Sequence, residues 1–342
     1  MQKILIVRRD NIGDLVCTTP LIRALRQRYP DARIDALVTS YNRGVLSDLP
    51  ELSHVYAYTK GKHREPGQSL VRLHYQKLVT LWTLRRVHYD VAIAAQGTVS
   101  RRALALARNV GANRLISLVD GTTRMTGVTD PVTARQTGHE VERVFALGQP
   151  LGIQGPPGAC RVVADEARRE ILQRRLDAVL PDGPRFGIQL SARKPSQRWP
   201  VLHYAHLIEQ MQRHWPNARF LVFWAPGAEN DPRHPGDDRK AAELMQHLAR
   251  QRVLPIATSC LEDLIAGIDL CDAFLTPDGG AMHLAAGLGK PVLALFGDSD
   301  PEQWQPWGVP RQVLQPPSRQ VADLQPGEVM AAWCRLLDPL PQ

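Results

Sequence analysis

The stretch ILIVRRDNIGDLVCTTPLIRALRQRYP, residues 4–30, decides the architecture. Its apolar run, Ile4 to Val7, reads as a strand buried on both faces, and a turn with the single glycine Gly13 leads into a helix-like segment over 21–29. Strand, tight turn and helix in so short a span open a β-α-β unit, which builds a parallel sheet covered by helices. The turn ends in Gly13-Asp14, a carboxylate where nucleotide-binding turns keep small neutral residues. A dinucleotide turn would show G-x-G-x-x-G, and RRDNIGDLV has one glycine, so hydride transfer is disfavoured. On spacing alone Asp14 reads as a helix cap. The alternative is a carboxylate presented at the carboxyl edge of the sheet, where open α/β folds bind ligands.

The pattern set by this stretch continues. Strand signals fall at 33–39, 54–58, 90–95 and 114–119, separated by helix-like segments that include 78–87 and 101–109. GQPLGIQGPPGA (148–159) is dense in Gly and Pro, shows no periodicity and reads as a linker. A second series follows, with strands at 186–191, 219–225, 273–277 and 291–297 and helices at 203–215 and 239–251. The expectation is an α/β chain of two Rossmann-like domains, 1–155 and 156–342, with parallel sheets facing a central cleft. The last helix is free to pack back on the first domain.

The 342 residues are 44% hydrophobic, enough for large cores, and no apolar run is long enough for a signal peptide or a spanning helix. A cytoplasmic protein is expected. Five widely spaced cysteines without a C-x-x-C pair signal neither a disulfide framework nor a zinc site and are expected to be buried thiols. The net charge of +8 is divided unevenly. Residues 1–160 hold 22 Lys+Arg against 12 Asp+Glu, a balance of +10, while residues 161–342 hold 20 against 22, a balance of −2. The first half therefore either faces an anionic partner or carries a basic surface for solubility. No nucleic-acid motif accompanies it.

TPDGGAMHLAAGLGKPVLALFG (276–297) is the second informative stretch. A strand ending at Pro277 runs into Gly279 and Gly280, and a helix begins near Ala281. Backbone amides at such a glycine turn, with the helix N-terminus behind them, suit a phosphate or diphosphate. His283 in the first turn leans toward the same place, or packs between helix and sheet. Asp278 would repel a diphosphate, so it caps the turn or accepts from sugar hydroxyls. GDSDP (297–301) contains the D-x-D of Asp298 and Asp300, which reads as a loop rather than a metal site, and ENDPRHPGDD (229–238) has no regular ligand spacing. No cofactor and no metal are expected.

NIGDLVCTTPLIRALRQRYP and DGGAMHLAAGLGKPVLALFG together resemble glycosyltransferase family 9, the ADP-heptose:lipopolysaccharide heptosyltransferases of GT-B fold. GHEVERVFALGQPLGI (138–153) resembles the helix before that family's interdomain linker, and SARKPSQRWPVLHYAHLI (191–208) its phosphate-binding segment. The resemblance spans nearly the whole chain in the family's order. It implies an inverting, metal-independent transfer of heptose from ADP-heptose to a lipopolysaccharide inner-core acceptor, by an enzyme peripheral to the inner membrane. Asp14 then occupies the position of the general base. Asp278, Gly280 and His283 match donor-contacting positions, and Glu229 matches an acidic position near the donor ribose. Two departures stand out: Gly279 replaces a family Ser or Thr, and Gln197 replaces the phosphate-binding Lys. Arg193, Lys194 or Arg198, with the hydroxyl of Ser191, could supply what Gln197 lacks. An anionic acceptor would suit the basic first half, with Lys60, Lys62, Arg64 and Arg72 as candidate contacts. Other readings are a family relative with another nucleotide-sugar or a protein acceptor, a nucleotide-sugar epimerase, and a non-catalytic sugar-nucleotide binding protein.

Overall fold

The computed structural model describes residues 2–61, 69–120, 126–180, 182–230, 236–248 and 252–337, in two compact units, 1–162 and 163–342. The first unit holds strands β1 (Lys3–Val7), β2 (Arg33–Thr39), β3 (His54–Tyr58), β4 (Val91–Ala94), β5 (Arg114–Val119) and β6 (Asp130–Thr133). Its helices are α1 (Ile12–Val16), α2 (Thr19–Arg28), α3 (Leu70–Val87), α4 (Arg101–Arg108) and α5 (Glu140–Phe145). The second unit holds β7 (Arg185–Gln189), β8 (Arg219–Trp224), β9 (Val253–Ala257), β10 (Ala273–Pro277), β11 (Val292–Leu295) and β12 (Arg311–Leu314). Its helices are α6 (Glu166–Val179), α7 (Val201–His214), α8 (Asp238–His247), α9 (Leu261–Asp269), α10 (Gly280–Gly287), α11 (Pro301–Trp304) and α12 (Pro326–Leu337).

Both sheets are wholly parallel and share one topology. The first runs β3-β2-β1-β4-β5-β6 and the second β12-β11-β10-β7-β8-β9, the same doubly wound order read from the opposite edge. In each, the chain direction across the sheet reverses between two neighbours, β1 and β4 in the first and β7 and β10 in the second. Loops leaving the carboxyl ends of such a pair diverge to opposite faces and leave room for a ligand. That divergence decides where each site is built.

Burial explains the strands. Ile4 to Val7 in β1 and Val91 to Ala94 in β4 are all buried, as continuous apolar runs in a doubly covered sheet must be. In the second unit Trp199, Trp333, Phe186 and Phe220 form the centre of one core, with the Trp333 ring edge-on to Phe186 at 5.3 Å. Through Trp333 the last helix is built into the second unit's core, against α7 and β12.

The structure departs from the sequence reading at β6, β9 and β12, which were not expected as strands, and at several further points. The segment read as the start of a linker is ordered, because residues Ala146–Leu151 form a 3-10 helix that buries Leu147 and Leu151. A 3-10 turn interrupted by Pro150 carries no 3.6-residue period, which is why it looked irregular. α3 begins eight residues before the predicted 78–87 helix, because its first turns bury little besides Leu73 and carry no amphipathic signal. Among the cysteines, Cys17, Cys160 and Cys271 are buried as expected, whereas Cys260 and Cys334 are half-buried.

Candidate active site

Asp14 is the third residue of α1, the short helix entered directly from β1. Its Oδ2 accepts from the Asn11 backbone amide at 3.0 Å and from Asn11 Nδ2 at 3.1 Å, so Asp14 is not the N-cap suggested by spacing but the third-residue partner of the N-cap Asn11 in a capping box. Its Oδ1 accepts from Arg8 Nη2 at 2.8 Å. An ionised carboxylate offers about four acceptor positions, so roughly one stays open, on Oδ1. The side chain is 14% exposed, placed at the carboxyl end of β1. Capping and a reactive role are therefore compatible in one residue.

Arg8, the residue after β1, is 1% exposed and organises the surroundings. Its guanidinium donates to the Ala95 carbonyl at 2.7 Å, to Asp14 and to Glu140 Oε1 at 2.8 Å, with Asp10 3.5 Å away. Burial alone would lower the Arg8 pKa, but the facing carboxylates of Asp14, Glu140 and Asp10 outweigh it and the pKa is raised. Glu140 is the first residue of α5 and follows the His139 cap, where a carboxylate also complements the helix dipole. A Cβ at Gly97, just after β4, would overlap the Glu140 carboxylate, so this position has no room for a larger residue. Neither Arg8 nor Glu140 was singled out from sequence. The usable signal was a second charged residue at each of two strand ends, RR after β1 and HE opening a helix after β6.

Beside this group, within the first unit, lies a cavity of about 480 Å³ lined by Arg9, Asp10, Tyr58, Lys60, Lys77 and Arg102, among others. Four cations on its wall make it attractive to an anion. Lys60 lines this cavity, donating to the Arg9 carbonyl. Arg72 lies on the exposed side of α3 and does not line the cavity; Lys62 and Arg64 lie outside the described residues. Arg9, Lys77 and Arg102 are the cations that sequence reading missed, since they come together only through the packing of α3 and α4.

In the second unit the predicted donor residues lie on the loops after β7 and β10, at the switch point, except Glu229, which lies on the loop after β8. Gln197, 4% exposed, donates from Nε2 to Asp278 Oδ2 at 2.6 Å and to Ser299 Oγ at 3.0 Å. Lys194 Nζ reaches the same Ser299 hydroxyl at 3.3 Å and Asp298 Oδ1 at 3.1 Å. The hydrogen bond from Lys194 holds the Asp298 carboxyl below its ordinary pKa. Gly279 is the N-cap of α10 and open space surrounds the place where its Cβ would be; Gly280 opens the helix. His283 is buried in that helix with its ring edge-on to Trp304 at 6.0 Å. The glycine turn, Asp278, His283, Gln197 and Lys194 are thus brought together around two adjoining loops.

Ser191, Arg198 and Glu229 have other engagements. The Ser191 hydroxyl accepts from the Ala225 amide at 2.9 Å and donates to Asp237, which ties β7 to the loop after β8. Arg198 lies 4.0 Å from Glu229, and Glu229 pairs with Arg239 at 2.5 Å on the surface. Lys240, unremarked in the sequence, donates to the Leu190 carbonyl at 3.0 Å; burial lowers its pKa, with Asp237 partly opposing.

Two parallel six-stranded sheets of equal topology, each with polar loops at its switch point, make this a GT-B fold. The same fold is seen in Escherichia coli heptosyltransferase WaaC with ADP, which covers 98% of this chain with 100% of its own at a TM-score of 0.78 and 18% identity. The chain belongs to glycosyltransferase family 9 (heptosyltransferase), whose profile matches residues 80–332. It is similar to lipopolysaccharide heptosyltransferase 3 of E. coli K12, 27% identical over 86% of this chain and 82% of the relative. It is also similar to lipopolysaccharide heptosyltransferase 2 of Salmonella typhimurium LT2, 26% identical over 88% and 84%. The protein is a glycosyltransferase. No described helix is long and apolar enough to cross a membrane.

Proposed function

We propose that the protein transfers heptose from ADP-heptose to a lipopolysaccharide inner-core acceptor, with inversion and without a metal, on the cytoplasmic surface of the inner membrane. The observation that carries this reading is Asp14, held by Arg8 and Asn11 with one acceptor position open, beside a cationic cavity. The acceptor, an anionic lipid-linked saccharide, belongs to that cavity, with Lys60 among its contacts; Arg72, outside the cavity on α3, and Lys62 and Arg64 are further candidates for parts of the acceptor that extend beyond it. Asp14 takes the proton of the attacking hydroxyl as its oxygen bonds to the anomeric carbon. The bond from that carbon to the diphosphate oxygen breaks on the opposite face, and ADP leaves with the electron pair, which inverts the centre.

The donor belongs to the second unit. Amides of the Gly279-Gly280 turn and the α10 N-terminus, together with His283, accommodate the charge that grows on the diphosphate. Lys194 supplies the cation that Gln197 lacks, since the two meet at Ser299. Asp298 is paired with that lysine, an arrangement that favours a cationic side chain over a metal as the phosphate partner. Gln197 holds Asp278 in place by its amide, and Asp278 is left to receive sugar hydroxyls. Ser191, Arg198 and Glu229 take supporting places in the loops around the nucleotide.

Mass spectrometry after mixing the protein with ADP-heptose and heptose-deficient lipopolysaccharide in excess EDTA tests the reading. Acceptor heavier by one heptose, with ADP released, is the expected result. Bound ADP-heptose without transfer would point to another acceptor, and failure to bind it would point to another nucleotide-sugar. Within the same assay, Lys194→Ala is expected to raise the donor KM about tenfold, the loss of one charge-assisted phosphate contact, while Arg198→Ala changes it less than threefold. Equal effects of the two variants would remove Lys194 from the phosphate site.

A further inference from the structure

The long helix α3 carries an apolar stripe on the wrong side for a globular protein. Leu73, Leu81 and Leu84 bury its inner face against β3. On the opposite face Val71, Tyr75, Leu78 and Trp82 are 79%, 67%, 65% and 54% exposed. Their spacing of four, three and four residues puts all of them in one line, the register of a seam made for burial. Single exposed apolar residues need no explanation, but a straight row over three turns does.

The row is set among cations. α3 contains Arg72, Lys77, Arg85 and Arg86 and no Asp or Glu. The Arg86 guanidinium lies over the Trp82 ring, 3.4 Å from its centroid. Tyr and Trp have an apolar body and a polar edge, and arginine stems lie along apolar surface with the charge in water, so this is the composition of a helix lying in a lipid interface. Pairing with a second copy would bring arginines against arginines along a helix with no carboxylate to offset them. The complementary surface is anionic and apolar at once. The inner flank of the same helix contributes Leu73, His74 and Lys77 to the cationic cavity.

We propose that α3 lies on the anionic membrane, its Val71-Tyr75-Leu78-Trp82 stripe entering the interface and its arginines meeting lipid phosphates, so that the cavity beside it receives the acceptor from the bilayer. The direction of the acceptor rests on the functional reading above; the lipid contact does not.

Flotation of the full-length protein with phosphatidylcholine vesicles, with and without about one third phosphatidylglycerol, tests it. The wild type is expected to float with the anionic vesicles, Leu78→Ser/Trp82→Ala to lose tenfold or more of its partitioning, and Arg86→Gln about fivefold. All three side chains are exposed, so unchanged thermal melting is expected and separates docking from folding. Turnover on a lipid-free oligosaccharide acceptor should be equal in wild type and variants, while turnover on vesicle-embedded acceptor falls with partitioning. A wild type without turnover on the lipid-free acceptor sinks the acceptor reading and leaves flotation to decide α3. A wild type that stays with the soluble fraction, or variants that float as well as it does, overturns the proposal. So does a stripe-dependent dimer in light scattering without vesicle binding, which assigns the face to a second copy.

Discussion

Asp14→Asn is expected to lower kcat by about 10²–10⁴-fold while leaving the donor KM within about twofold. The amide keeps the size of the carboxylate, and its oxygen in the Oδ2 position still accepts from the Asn11 amide, so α1 stays capped; its NH2 then faces Arg8, which keeps its bonds to Glu140 and the Ala95 carbonyl. What disappears is a basic oxygen toward which an acceptor hydroxyl can pass its proton. Asp14→Ala should cost as much in turnover and in addition loosen α1, by about 1 kcal/mol for a lost cap. A fall in kcat of less than tenfold for Asp14→Asn, measured by single-turnover quench, would sink the base assignment. The asparagine variant matters because alanine alone would confound a lost base with a lost cap.

Removing Arg8 should be the most destabilising single change in the first unit. Arg8→Met keeps the length of the stem but leaves Glu140, 3% exposed, and the Ala95 carbonyl without their donor. Breaking a buried ion pair from one side costs about 3–5 kcal/mol, because the remaining charge stays out of water. Chemical denaturation of wild type and variant measures it, and a loss below about 1 kcal/mol would refute the central place given to Arg8. Adding Glu140→Gln to Arg8→Met should restore part of the loss, since the stranded charge is then gone. Activity should not return with stability in the double variant, because Asp14 Oδ1 still lacks the group that orients it.

The parts of this molecule that sequence revealed are those controlled by neighbours in the chain. β2, β3, β5 and β10 match their expected limits because each is a short apolar run between breakers. Asp14, Asp278, Gly279, Gly280 and His283 were legible because a strand end, a turn and a helix start follow one another within a few residues. β6 (DPVT) and β12 (RQVL) escaped notice because edge strands bury little and so need no apolar run. The Arg8–Glu140 pair escaped because its partners are 132 residues apart, and the charged residue beside each strand end says nothing of its partner. The bond from Gln197 to Asp278 was hidden likewise: a departure from a family pattern shows what is absent, not which neighbour takes up the freed amide.

The length of that span bears on when the enzyme becomes active. The oxygen of Asp14 is fixed by Arg8, and Arg8 in turn by a carboxylate at the start of the first unit's last α-helix. A nascent chain or refolding intermediate that has built β1, α1 and α2 already possesses the base but not its orientation. Contacts of such long sequence separation close late. Turnover should therefore recover with the slowest folding phase of the first unit, even where the second unit, with the donor site, has already folded.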